Sequence, residues 1–456
     1  MLTKKEFVGH ALKLALPIMI QNLIGTLVQA ADTIMLGYVS QEAMAAASLA
    51  NQYAFVLLCF NYGMSTASSV LCAQYFGRKD MKTIERVLGL ATRLSLVISL
   101  AFFLLGVLVP EGIMRLLSSS PETIRLGSEY IRWVSISYVF TGISSVYVSA
   151  LRSVRKVVLP SVIYAVSLAV NVIMNAVFIF GLLGAPKLGV VGVAIGTVIA
   201  RAVELLICLV YSTLGKSIRI RVRYIFTKAG VLLKDFLKIG VPAVMNDIVW
   251  SLATTVFAAI LGHIGDDMVA ANAVAMTVVN VGAISSRGFA NATTIVISNT
   301  LGENDIPAAK VYARRMLIMT LVVALAGCGV ILALRPFIMS YYADKLSAVA
   351  VRYLGSILIM TTWRLVGEGL NTAWICGCFR GGGDARFGMI VDTVFMWGVA
   401  VPLMALAAYV LKLPPLGVYL VMSLDEMYKM PAVFIHYRKF NWLNNITRDM
   451  ESAENQ

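Results

Sequence analysis

Residues 11–36 read ALKLALPIMIQNLIGTLVQAADTIML, and the reading of this stretch decides the fold. Beyond Lys13 it holds one ionised side chain, Asp32. An α-helix rises about 1.5 Å per residue, so about 20 residues cross a bilayer core about 30 Å thick. The stretch is therefore a membrane-spanning helix with a carboxylate set inside it. A charge at that depth costs at least about 2.5–3.5 kcal/mol on insertion scales. No Lys or Arg stands three or four residues from Asp32 on either side, so its own helix offers no ion pair. Such a residue is read first as a functional group facing a cavity.

The stretch has an echo. Residues 240–262 read GVPAVMNDIVWSLATTVFAAILG. Pro17 aligns with Pro242, Gly37 with Gly262, and Ala45-Ala46 with Ala270-Ala271, all at an offset of 225. The same offset carries Gly77 to Gly302 and Asp80 to Asp305. A second echo, at an offset of 228, carries Arg152 to Arg380 and Leu188-Gly189-Val190 to Leu416-Gly417-Val418. The chain is two copies of one unit.

The whole composition agrees with a membrane protein. Of 456 residues, 59% are apolar and 14% charged, with a mean hydropathy of +0.82. That balance excludes an ordinary soluble domain. The net charge of +14 does not mark a nucleic-acid binder, because Lys and Arg fall between the apolar segments and mostly in every second gap. Cys59, Cys72, Cys208, Cys328, Cys376 and Cys378 are scattered through apolar segments, a pattern of small core residues rather than disulfides or a metal site. The three His are equally dispersed. No cleavable signal peptide is evident, since Lys4-Lys5 precede a span too long for one.

Twelve spans are expected, at about 11–36, 46–72, 88–110, 128–151, 158–183 and 188–214, then 235–261, 268–299, 314–339, 350–379, 386–411 and 414–436. The expected fold class is an all-α polytopic membrane protein with twelve transmembrane helices. They would form two six-helix lobes related by a pseudo-two-fold axis along the membrane normal, because an even number of spans returns the chain to its starting side. Residues 1–214 would be the amino-terminal lobe, 215–234 a cytoplasmic linker, 235–436 the carboxy-terminal lobe and 437–456 a cytoplasmic tail. The basic gaps (Arg78, Lys79, Lys82 and Arg86 among them) alternate with gaps such as 38–45 and 263–267 that hold no Lys or Arg. By the positive-inside rule both termini are cytoplasmic. Residues 216–238, with seven Lys or Arg, read as a basic helix on anionic headgroups.

Embedded charges sort by whether their own helix supplies a partner. Arg201 and Glu204 are i,i+3; Arg364 and Glu368 are i,i+4; Lys429 follows Asp425 and Glu426 by four and three. These can neutralise locally. Asp32, Asp247 and Asp392 cannot, so each must find another helix's cation, bind a cation or hold a proton. The repeat matches Asp247 to Asn22, ten residues before Asp32 and hence about 15 Å nearer the cytoplasm. The two halves therefore carry different sites. Asn171 and Asn175 lie one turn apart on the fifth span, where their oxygens suit Na⁺ or a protonated carboxyl; they equally suit plain helix packing. Met residues and aromatics such as Tyr138, Phe140, Trp250, Trp363 and Trp397 lie within the spans, where most pack helices or face lipid; a few in a cleft would give a soft, adaptable surface, with Trp or Tyr faces suited to an organic cation. There is no Walker A motif. The run Phe379-Arg380-Gly381-Gly382-Gly383-Asp384 reads as a turn after a span rather than as a phosphate loop.

These residues resemble the multidrug and toxic compound extrusion (MATE) family across essentially the whole chain. The resemblance rests on Ala31-Asp32-Thr33-Ile34-Met35 with Gly37, Gln74 to Gly77, Asn171 and Asn175, and Leu188-Gly189-Val190 with Gly192. It continues through Pro242, Asn246-Asp247 and Trp250, then Arg380 to Asp384, Asp392, Trp397 and Pro402, and ends with Asp425-Glu426, Lys429, Trp442 and Asn444. It implies efflux of organic, often cationic, compounds by antiport with H⁺ or Na⁺, through alternating access of two lobes. It implies an amino-lobe cation site at Asp32, Asn171, Asn175 and Thr197, with possible Na⁺ there. Some members have a second Asp where this chain has Asn175. It further implies a carboxy-lobe site for substrate or a second cation at Asp247, where Glu is usual, with Asn246, Glu368, Asp392, Tyr138 and Trp250 as candidates.

The expected partners are a small organic substrate and membrane lipids, with no nucleic acid, no cofactor beyond H⁺ or Na⁺ as coupling ion, and a monomeric state in the plasma (cytoplasmic) membrane. Two alternatives stand beside this. A lipid-linked precursor flippase would need several cations in the cleft, and only Arg201 and Arg364 are embedded candidates. A membrane-embedded enzyme would need clustered His or paired carboxylates, and no such cluster is seen.

Overall fold

A computed structural model describes residues 2–215, 217–227 and 230–449. Lys216 and Lys228 of the expected basic linker, and the expected tail beyond Asp449, lie outside the described residues. The described residues are helical almost throughout, with no strand among them.

In chain order the first half comprises α1 (Lys4–Gly37), α2 (Gln41–Gly77), α3 (Met81–Leu108), α4 (Pro110–Leu117), α5 (Pro121–Val134), α6 (Ile136–Ser153), α7 (Val158–Phe180), α8 (Gly189–Leu214) and the short α9 (Val222–Phe226). The second half comprises α10 (Gly230–Ile264), α11 (Asp266–Gly302), α12 (Ile306–Tyr342), α13 (Ala348–Thr372), α14 (Ala385–Asp392), α15 (Val401–Ala405), α16 (Pro415–Ser423) and α17 (Asp425–Lys439). Among the described residues, ten helices are long and apolar enough to cross a membrane. The pair α5 and α6, bent by 46°, is long and apolar enough only when taken together and would make an eleventh. The hydroxyls of Ser135 and Ser137 at that bend donate back to the carbonyls of Ile131 and Val134, each at 2.6 Å, which competes with the helix's own ladder. The twelfth expected span, 414–436, is covered by α16 and α17, which break at Leu424 just before the charged run Asp425-Glu426.

The repeat read from the sequence is visible in the backbone. Lys79 and Asn304, 225 apart, both take left-handed φ (64° and 61°). Each is followed by an aspartate that caps the next helix: Asp80 accepts from the Thr83 amide at 3.0 Å, and Asp305 from the Ala308 amide at 2.9 Å. An unpaired helix N-terminus explains why both copies keep a carboxylate there.

By contact, the chain divides into two compact units that correspond to the sequence halves except at the two ends of the chain. One unit joins the stretch up to Met19 with Val241–Ile446; the other joins Ile20–Gly240 with the stretch from Thr447. The divisions inside α1 and α10 fall two residues after Pro17 and one before Pro242, the aligned prolines. A helix-interior proline removes one i→i−4 bond and bends the axis, so the two ends of such a helix can pack in different places. The core of the Ile20–Gly240 unit includes Leu36, Leu57, Tyr130, Tyr138 and Val193. The other unit has two core clusters, one around Phe257, Leu358 and Tyr419, the other around Phe379, Trp374 and Trp442. Three stretches of the latter unit, Ala373–Phe379, Thr393–Ala400 and Leu406–Val410, are π-helical.

Candidate functional site

In the Ile20–Gly240 unit, α1, α7 and α8 bring together the four residues of the expected cation site. The Asn175 side-chain amide donates to Asp32 Oδ1 at 2.6 Å and lies 3.4 Å from Asn171 Oδ1. The Asn171 amide in turn donates to Thr197 Oγ1 at 3.3 Å. Asn171 and Asn175 are buried, whereas Asp32 and Thr197 are half-buried at the edge of the cluster. Asn175 Oδ1 is buried with no hydrogen-bond partner among the described residues. It reaches this position because Gly196 has no side chain: a Cβ there would sit 2.2 Å from that oxygen.

Asp32 makes no salt bridge among the described residues. Arg201, one turn beyond Thr197, pairs instead with Glu204 at 2.7 Å, as its i,i+3 spacing suggests. Glu204 also accepts from the Ser144 hydroxyl at 2.7 Å. The cluster therefore offers five oxygens, two from Asp32 and one each from Asn171, Asn175 and Thr197. Hard cations take such oxygen donors, and a protonated carboxyl needs one acceptor. No group of three or more His, Cys, Asp or Glu among the described residues could hold a metal.

The other unit treats its carboxylates differently. Asp247 and Asp392, which have no Lys or Arg three or four residues away on their own helices, each meet one from elsewhere. Asp247 Oδ1 lies 3.0 Å from the Arg380 guanidinium, and Asp392 Oδ1 lies 2.7 Å from Lys429 Nζ. Asn246 joins the two pairs: it accepts from Arg380 at 2.6 Å and donates to Asp392 at 2.5 Å. Lys429 also contacts Glu426 at 3.1 Å, its i,i+3 neighbour, and Asn371 donates to Glu426 at 2.8 Å. The i,i+4 pair expected of Arg364 and Glu368 does not form. Arg364 lies 3.8 Å from Asp425, and Glu368 lies 3.9 Å from Arg287. The reason is geometric: Arg364 is buried toward α17, whereas Glu368 turns to α11. Arg380, read from the sequence as part of a cytoplasmic turn, is buried.

Tyr138 lies within the core, its ring 6.1 Å from that of Tyr53 and its hydroxyl without a partner among the described residues. Trp250 is half-buried against the Phe257 cluster. Arg287 was missed at the sequence level. Applying the test used for Asp32, a charge with no opposite charge three or four residues away, would have found it in the span 268–299.

A duplicated, all-helical chain with at least ten membrane-length helices defines a multi-pass integral membrane protein. The MatE family pattern matches it twice, over residues 17–177 and 242–406, so the two matches begin at the aligned prolines. The chain belongs to the MatE family, whose members are transporters and not enzymes. It is 26% identical to a probable multidrug resistance protein NorM from Bradyrhizobium diazoefficiens, over 95% of this chain and 93% of that one. It is 24% identical to a probable multidrug resistance protein YoeA from Bacillus subtilis, over 88% of this chain and 87% of that one. Its fold matches an outward-facing multidrug resistance MATE family transporter with a TM-score of 0.87, at 20% identity over 96% of both chains. It also matches a MOP superfamily transporter from Pyrococcus furiosus with a TM-score of 0.86, at 21% identity over 94% of this chain and 95% of that one. Relatives of this kind do not favour the flippase alternative.

Proposed function

We propose that the protein is a secondary active exporter of organic compounds, often cationic, that exchanges them for H⁺ or Na⁺ by alternating access of two lobes. It acts as a monomer in the cytoplasmic membrane, with both termini in the cytoplasm and lipid as its surroundings. One observation carries the reading: Asp32 sits inside a membrane-length helix with amides, not a cation, as its partners. A carboxylate without a counter-charge in hydrocarbon gains strongly from a proton or a small cation. On proton uptake the Asp32 carboxyl becomes a donor. The buried, partnerless Asn175 Oδ1 is then the nearest idle acceptor, reached if the amide turns over. The occupied site packs α1 differently from the empty one, and that change expels substrate.

The test is efflux from proteoliposomes under an imposed pH gradient and, separately, an imposed Na⁺ gradient. The reading expects one gradient to drive export by the wild type and neither to drive export by Asp32→Asn. Gradient-driven export by Asp32→Asn at the wild-type rate would overturn it.

A further inference from the structure

The polar face of α11 has no role in the coupling scheme. Ala273, Thr277, Asn280, Ile284, Arg287 and Asn291 follow one another at spacings of three and four, so they share one side of the helix. Four of the six are polar or charged, on a helix long and apolar enough to cross a membrane. Between Val281 and Glu303 every described residue is buried or half-buried except Arg287. Its side chain is 47% exposed.

On this side Ala273, Thr277 and Asn280 are exposed as well as Arg287, Ile284 is buried and Asn291 half-buried, while Ala283 and Ala290 beside Arg287 are buried. The exposed side is thus the polar one, and the cost of a guanidinium in hydrocarbon makes its surroundings at Arg287 aqueous. Next to it Gly288 is closed off, since Met19 Cγ lies 2.3 Å from where a Cβ would stand. Among the described residues the one opposite charge near Arg287 is Glu368 Oε1 at 3.9 Å, an ion pair too long for a hydrogen bond. The planar fork of donors is thus exposed and free of strong hydrogen bonds to a carboxylate, whereas Arg364 and Arg380 are buried beside carboxylates.

We propose that Arg287 is a substrate-contacting residue that receives the carboxylate of an exported amphipathic organic molecule. Asn291, one turn on, adds an amide to the same carboxylate. Glu368 lies beside it as the anionic point for a cationic group on the same molecule. A guanidinium binds a carboxylate through two parallel hydrogen bonds, which a lysine ammonium cannot reproduce. One guanidinium suits a monoanion and not a pyrophosphate. The substrates selected in this way are zwitterions, alongside compounds that are cationic alone. The repeat sharpens the assignment: Tyr62, 225 residues earlier, is likewise the one exposed residue between Leu58 and Arg78 on α2. The duplicated position is thus open in both copies, and only the second copy carries a charge there.

This inference rests on the exporter reading and refines its substrate class. The test is equilibrium binding to the full chain, purified in detergent with no gradient, of rhodamine B and of its ethyl ester. The dyes differ in whether the carboxylate is free. We expect the wild type to bind rhodamine B, and Arg287→Gln to weaken that binding about tenfold or more, the size of a lost charge-assisted pair. The ester should bind both forms equally, and Arg287→Lys should fall in between for rhodamine B. Unchanged rhodamine B binding in Arg287→Gln, equal loss of both dyes, or no binding of rhodamine B by the wild type would overturn the assignment. Coupling plays no part in this measurement. Failure here leaves the antiport reading standing, and loss of gradient-driven export without loss of dye binding points the other way.

Discussion

Asp32 and Asp392 are both carboxylates on membrane-length helices, yet their surroundings differ in kind. Asp32, in the Ile20–Gly240 unit, takes the Asn175 amide as its partner, and the basic residue of α8, Arg201, is engaged by Glu204. Asp392, in the other unit, receives the Lys429 ammonium and the Asn246 amide on its two oxygens. In that unit four carboxylates (Asp247, Asp392, Asp425 and Glu426) meet three cations (Arg364, Arg380 and Lys429). A carboxylate beside a cation has less to gain from an incoming ion than one without. Duplication has thus produced one copy whose membrane carboxylates lie beside cations, with one negative charge in excess, and one in which Asp32 has no cation beside it, and the difference suits them to separate tasks.

That contrast can be broken or sharpened by substitution. The largest effect is expected at Asp32. Asp32→Asn should reduce gradient-driven efflux to the rate seen with no gradient, while Asp247→Asn should keep a gradient-dependent component; efflux from proteoliposomes reads both. Equal losses would erase the distinction between the copies. Next comes Lys429→Met, which strands Asp392 and Glu426 in a buried environment. Removing one partner of a buried ion pair costs about 3–5 kcal/mol. The unfolding midpoint in detergent should therefore fall sharply, and adding Asp392→Asn should restore part of the loss. An unchanged midpoint would mean the network does not hold this unit together.

A smaller effect is expected from Gly196→Ala. The added methyl meets Asn175 Oδ1 at 2.2 Å and must push the amide from Asp32. Overpacking of this kind costs about 1–3 kcal/mol. It should slow coupled efflux more than it lowers the unfolding midpoint if the displaced group belongs to the proposed coupling cluster. The reverse ranking would make Asn175 a packing residue. Asp247→Asn should have the mildest influence on stability, about 1 kcal/mol, since Arg380 keeps its Asn246 bond and Asp247 is only half-buried.

The fold was largely legible because membrane spans depend on length and composition, which a sequence displays directly. Pro17 and Pro242, and Asp80 and Asp305, revealed the duplication before any coordinates, and the caps and left-handed turns agree with it. The grouping of Asp32 with Asn171, Asn175 and Thr197 came from family resemblance; single-helix spacing showed only that the two asparagines share a face. The cationic partners of Asp247 and Asp392 were not legible. Arg380 and Lys429 come from elements 133 and 37 residues away in sequence, and no local periodicity reports such pairings. Arg364 and Glu368 misled for the same reason: i,i+4 spacing permits a pair, but packing turns the two side chains toward different neighbouring helices. The division of the chain by contact was also hidden, because the apolar stretch of α1 runs on without a change of composition across Met19 and Ile20.

The π-helical stretches bear on how the charged network is aimed. Ala373–Phe379 ends directly before Arg380, and Thr393–Ala400 begins directly after Asp392. A π-turn accommodates one residue more than an α-turn, and each α-helical residue advances the screw by about 100°. Deleting a single residue from 373–379 would therefore let the segment tighten to α geometry and swing the Arg380 guanidinium away from Asp247 without altering any functional group. Orientation in this part of the molecule is encoded by a surplus residue, so an alignment gap there would signal a re-aimed arginine even where every charged letter is kept.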